Sequence, residues 1–166
     1  MTNLNPTTRP SARTGAALVS TGSNMESLYL FGGNATLAGT NNQTWAYDVT
    51  GNTWAQRTVT GAPVTRAWHS MSWDAVLSRV VLFGGSRDLN GPLLNDVQLF
   101  DPATNAWQTL TSVGAPTPRF LASMVYAPDL GAHLIFGGGT ATSNNAEATA
   151  LSNDLYRLNV NLVAGT

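Results

Sequence analysis

Arg13, Arg66 and Arg119 stand 53 residues apart, each closing a P-x-x-R tetrapeptide opened by Pro10, Pro63 or Pro116. Guanidinium groups at a fixed interval suit one chemistry well, because their planar fork donates paired hydrogen bonds to carboxylate, phosphate or sulfate. The same fork can turn inward, onto backbone carbonyls or onto an acid such as Asp48, Asp96 or Asp101. Spacing alone leaves both uses open. His69 follows Arg66 by three residues, at a position that Ala16 and Ala122 hold in the other units. Such an exception fits a ligand group lining a channel, and it fits a satisfied, partly buried histidine. His133 reads as peripheral. With Arg13, Arg66 and Arg119, His69 forms the candidate ligand set; the loop charges Arg87, Asp88 and Glu147 form a second one. No nucleophile, base and acid can be assembled from spacing, and two histidines without a spaced carboxylate make no zinc site. No catalytic residue, metal or cofactor is therefore expected.

Composition narrows the partners. Charged residues make up 10 % of the 166, the formal net charge is −1, and all eight basic residues are Arg. This is no electrostatic footprint for nucleic acid or an anionic membrane. There is no cysteine, which excludes thiolate chemistry and leaves the compartment undetermined. The opening MTNLNPTTRPSARTG lacks the apolar core of a signal peptide, and no apolar run approaches membrane-spanning length. A soluble protein is expected.

The arginine interval belongs to a wider repeat. Gly32-Gly33, Gly84-Gly85 and Gly137-Gly138 recur at nearly the same spacing, as do Trp54 and Trp107 and the stretches NQTWAYD, NDVQLFD and NDLYRLN. Within each unit the texture is β. Strand b (27–31, 79–83, 132–136) is continuously apolar, as a strand buried on both faces requires. Strand c (44–49, 97–100, 155–160) alternates, strand a follows each arginine, and strand d carries the tryptophan. The glycines stop strand b where the chain must turn tightly. Four short strands per repeat describe blades of an all-β propeller.

The paired glycines, the ND before strand c, and an aromatic followed by Trp in YDVTGNTW (47–54) and FDPATNAW (100–107) resemble the Kelch motif. The third unit departs from it, since YRLNVNLVAGT never reaches its Trp. The resemblance implies a Kelch-type β-propeller and covers essentially the whole chain. Similar propellers occur in galactose oxidase, whose Tyr–Cys crosslink this chain cannot form, and in sialic acid mutarotase-like proteins. The iron motif E-x-x-x-D-x-x-x-H of plant specifier proteins is absent.

The units fall at 13–65, 66–118 and 119–166, with 1–12 in the register of an isolated d strand and its loop. Three four-stranded blades do not close a ring, for propellers hold roughly four to eight. The expectation is a six-bladed ring of two chains, residues 1–8 of one completing strand c near 155–161 of the other. The expected function is a non-catalytic binding scaffold whose d–a and b–c loops surround a channel and take a protein, glycan or small anion. The alternatives are a sugar-acid enzyme using Arg66 and His69, and a propeller fragment, or an engineered half-propeller, without a selected ligand.

Overall fold

The computed structural model describes residues 2–22, 27–36, 39–88, 91–111, 114–140 and 150–161. In chain order the strands are β1 (Ala17–Thr21), β2 (Ser27–Phe31), a short hairpin of β3 (Asn34–Thr36) and β4 (Gly39–Thr40), β5 (Thr44–Asp48) and β6 (Thr53–Arg57). They continue as β7 (Ser70–Asp74), β8 (Arg79–Ser86), β9 (Leu93–Asp101), β10 (Ala106–Leu110), β11 (Ser123–Ala127), β12 (Ala132–Phe136) and β13 (Leu155–Leu158). Three antiparallel sheets follow one another: β1-β2-β5-β6, then β7-β8-β9-β10, then β11-β12-β13. Each is a meander; the turns after Asp48 in the first sheet and after Asp74 and Asp101 in the second are capped by those carboxylates, which accept backbone N–H groups of the turns. The all-β, propeller-like class read from the sequence is therefore the fold. Among the described residues no helix is long and apolar enough to cross a membrane.

The sheets pack face to face, and strand periodicity decides which residue faces which neighbour. Val80, Leu82 and Phe100 of the second sheet pack on Tyr29, Phe31 and Ala46 of the first, with Trp107 over them. Their alternates Val81, Phe83 and Leu99 point the other way, onto Ile135 of the third sheet and Val160 just beyond it. Only the middle sheet is covered on both faces, so β8 is buried throughout Val80–Ser86. Strand β7 lies between β1 and β11.

Three expectations need correction. The glycine pair does not end strand b in the second sheet, where β8 passes through Gly84 and Gly85 by a register shift and pairs as far as Ser86 with Leu93. The innermost strands begin later than the sequence suggests, because Trp68 and Leu121 take left-handed φ values of 58° and 55°. Of the tryptophans at repeat positions, all of which the repeat suggests as core, Trp107 is buried, whereas Trp54 and Trp45 are partly exposed. Trp54 rests on Tyr47 of its own sheet, with ring centroids 4.9 Å apart. Among the described residues, 2–12 pair with no strand of their own chain, and Asn52 Nδ2 donates to the Leu4 carbonyl at 3.0 Å.

Leu82, fully buried between two sheets, gives a direct check. Leu82→Ala should lower unfolding stability by about 2–5 kcal/mol in urea titration, while exposed Val76→Ala should stay within about 0.5 kcal/mol.

Candidate functional site

The three arginines occupy equivalent places just before their sheets; all three do a first job, and Arg66 and Arg119 a second. Each side chain clamps its own sheet: Arg13 Nη1 donates to Gly32 O at 2.9 Å, Arg66 Nη1 to Gly84 O at 3.0 Å, and Arg119 Nη1 to Gly137 O at 2.8 Å. The main chains of Arg66 and Arg119 tie them to the sheet before. Gly33 N–H donates to Arg66 O and Gly85 N–H to Arg119 O, both at 2.9 Å. The Nε groups bend back onto Ser11 O, Val64 O and Thr117 O, inside the P-x-x-R turn.

This double use explains the paired glycines. Gly32 and Gly84 have φ of 63° and 68°, and a Cβ there would lie 2.6 Å and 2.7 Å from the carbonyls of Arg66 and Arg119. No side chain fits against that backbone.

The remaining donors find partners that differ from unit to unit. Arg66 makes a two-pronged ion pair with Asp96, 2.7 Å on each arm. Arg13 meets Asn41 Oδ1 and Gln43 Oε1 at 3.1 and 2.8 Å. Arg119 donates to Ser152 Oγ and Thr117 Oγ1, and its guanidinium lies over the Tyr156 ring, 4.9 Å from the centroid. Arg66 and Arg119 have no more than 1 % of their surface exposed. Burial alone would raise the Asp96 carboxyl's pKa, but the hydrogen bonds and charge of Arg66, with Gln98 Nε2 behind, hold it below the usual carboxylate range.

The histidines differ from expectation. His69 is buried, yet neither ring nitrogen has a well-formed hydrogen bond. Its ring stands edge-on to Phe31, centroids 5.5 Å apart. Burial, then the charge of Arg66, push its pKa down to about 3, against weaker pulls from the Phe31 carbonyl and Asp96. It is a neutral, unsatisfied group rather than a satisfied one. His133 is fully buried, not peripheral. Its Nδ1 shares a hydrogen bond with Ser72 Oγ at 2.7 Å, and its Nε2 meets Asp74 Oδ2 at 3.2 Å, joining the second and third sheets. Burial lowers its pKa although Asp74 pulls the other way.

The loop charges sit apart from these groups. Arg87 and Asp88 are exposed, and the Arg87 carbonyl accepts from Thr40 Oγ1, so the b–c loops of the first two sheets touch. Glu147 lies outside the described residues. Bridges Thr14–Asn34, Ala67–Ser86 and Phe120–Gly139 bring the d–a and b–c loops to the same end of the sheets. Among the described residues no cluster of His, Asp and Glu could hold a metal. Beyond the arginines, a cavity of about 270 Å³ opens beside β13, lined by Phe83, Val97, Leu110, Ile135 and Tyr156. Phe83 and Val97 hold the positions of Phe31 and Thr44 in the first sheet, where Trp107 packs and donates Nε1–H to Thr44 Oγ1 at 3.0 Å. The cavity thus lies at the second sheet's counterpart of the place Trp107 takes on the first, where Val160 packs beside Phe83, Val97 and Ile135.

Meander sheets stitched by arginine to paired glycines define a Kelch-repeat, propeller-like protein, and the comparisons place it. The model of the KLHDC2/KLHL20/DRC7 Kelch-repeats domain matches residues 3–163, and the chain belongs to this Kelch-repeat family. Kelch domain-containing protein 3 of Bos taurus is 30% identical over 145 residues, covering 82% of this chain and 37% of its own length. The protein of the same name from Mus musculus is 30% identical over 118 residues, covering 70% of this chain and 30% of its own. The chain thus spans about a third of the length of these relatives.

Two measurements test the site. Arg66→Ala strands Asp96 and two carbonyls, and should cost about 3–5 kcal/mol in denaturant melts. A histidine buried neutral contributes stability that is present above its unfolded pKa and lost as pH falls, since only the unfolded chain takes the proton. Stability should therefore decline from about pH 6.5 toward pH 3, with a slope of up to roughly 1.4 kcal/mol per pH unit from His69. His69→Ala should flatten that decline and leave the smaller part due to His133; an unchanged profile would show that His69 is not buried.

Proposed function

We propose that the chain is a non-catalytic binding scaffold in which two copies close a six-bladed ring and present the loop-rich end to a protein partner. The carrying observation is the incomplete third sheet. Strand β13 has no outer neighbour among the described residues, and an apolar-lined cavity opens beside it. The segment suited to that edge is residues 2–8 of a second copy. They lead into the Ser11–Arg13 turn as β6 and β10 lead into the turns before Arg66 and Arg119, and Leu4 is 58 % exposed. Strand addition of this kind gains main-chain hydrogen bonds along the edge and specificity from side-chain pockets.

A protein partner suits the loops better than a sugar or a small anion. The b–c stretches carry no aromatic residue for stacking on a glycan. Every nitrogen of the Arg13 and Arg119 guanidinium groups already donates within the fold. The domain units 1–12, 13–65, 66–118 and 119–166 are the modules of this proposal.

Light scattering at micromolar concentration should give twice the chain mass of 17.5 kDa, and deletion of residues 2–8 should lower it toward one chain. Thermal shifts with sialate, citrate, sulfate and phosphate should be nil. Saturating ligand at about 100 Kd would add roughly 2.7 kcal/mol, and such a shift abolished by Arg66→Ala would make the arginines an anion site instead.

A further inference from the structure

The first and third sheets each leave one face open, and the residues on those faces are the two halves of a joint already made once inside the chain. In the joint between the first and second sheets, Phe31 receives Trp107 with centroids 4.8 Å apart, and Tyr29 receives Phe100 at 5.3 Å. Counting from the glycine pairs, Phe136 and Leu134 hold the places of Phe31 and Tyr29 in the third sheet. Counting from the 53-residue repeat, Trp54 and Tyr47 hold those of Trp107 and Phe100 in the first. Phe136 is 52 % exposed and Trp54 partly exposed, whereas their counterparts Phe31 and Trp107 are buried; Tyr47 is itself buried, against Trp54 of its own sheet.

The innermost strands agree. In the second joint Ser72 meets His133, a polar pair. The equivalent places on the open faces are Val125, 58 % exposed, and Leu28, an apolar pair. A mismatched end, hydroxyl against leucine or histidine against valine, would signal that the two faces were meant for different neighbours. They match. The backbone continues the same pattern: Trp68 N–H donates to Gly15 O and Leu121 N–H to Trp68 O.

We infer that the open face of the third sheet docks the open face of the first sheet of a second copy, with Trp54 seated on Phe136 and Leu28 on Val125. Two identical joints then arise about a twofold axis along the channel. This deepens the ring reading above and rests on it.

The chain has no cysteine, so crosslinking is clean. Leu28→Cys and Val125→Cys proteins, mixed and oxidised, should give a covalent dimer, while each alone gives none. Trp54→Ala should raise the dimer's Kd by about thirtyfold, as truncating a buried aromatic anchor does, and Phe136→Asp should dissociate it at micromolar concentration. A mixed crosslink supports the joint even where a face variant misfolds. If the wild type is a dimer that dissociates on deletion of residues 2–8, yet forms no mixed crosslink and tolerates Trp54→Ala and Phe136→Asp, this joint is overturned and strand exchange stands. A wild-type monomer overturns both.

Discussion

The structure depends on a single repeated stitch, an arginine whose guanidinium holds one sheet while its carbonyl holds the sheet before. Strand packing alone would let two twisted apolar faces slide past each other, because the hydrophobic effect has no direction. The bonds from Gly33 and Gly85 to the Arg66 and Arg119 carbonyls set the spacing and angle between neighbours. The guanidinium then ties that carbonyl's own residue to Gly84 or Gly137. Burying Arg66 and Arg119 is expensive unless every donor is met. That requirement dictates the paired glycines, the prolines that shape the P-x-x-R turn, and the polar residue that opens strand c.

That last position shows how one constraint is met in different ways. Gln43, Asp96 and Asp154 share it, and Arg13 and Arg66 reach the first two directly. In the third unit Ser152 stands between, accepting from Arg119 at 3.2 Å and donating to Asp154 at 2.8 Å, while Tyr156 takes the face of the guanidinium. The middle unit alone has a two-pronged carboxylate, and it is the unit covered on both sides. The exchange of Asp for Gln in the first unit follows the more open setting of Arg13, where a neutral acceptor suffices.

Much of this was legible in the sequence because repetition turns side-chain roles into columns. The β texture and the number of units follow from spacing, and the motifs around the paired glycines and tryptophans carry the resemblance to the family. The direction of the arginines did not, since a fork of donors reads alike whether it meets a ligand or a carbonyl, and carbonyls leave no trace in a sequence. Asp96 stood among three possible acids, and its shared column with Gln43 and Asp154 was the signal that could have singled it out. His133 was misjudged for a related reason. It occupies the column of Leu28 and Val80, an inward one, but its partners Ser72 and Asp74 lie about sixty residues earlier in another sheet.

Ser72, His133 and Asp74 also bear on what the protein does. A hydroxyl, an imidazole and a carboxylate in line suggest a hydrolase, and here the geometry argues for a joint instead. In a catalytic set the carboxylate orients the ring while the hydroxyl faces a site where substrate can sit. Here Asp74 spends its other oxygen capping the turn at Val76 and Leu77, and Ser72 is 6 % exposed beneath a fully buried ring. The second joint is polar where the first is apolar, so its two halves fit each other and not the faces at either end. Such a joint fixes the order of the sheets along the chain. A histidine placed opposite valine, or serine opposite leucine, would leave a buried donor or acceptor unmet at a cost of about 1–3 kcal/mol. Ser72, His133 and Asp74 are thereby committed to keeping the modules in sequence.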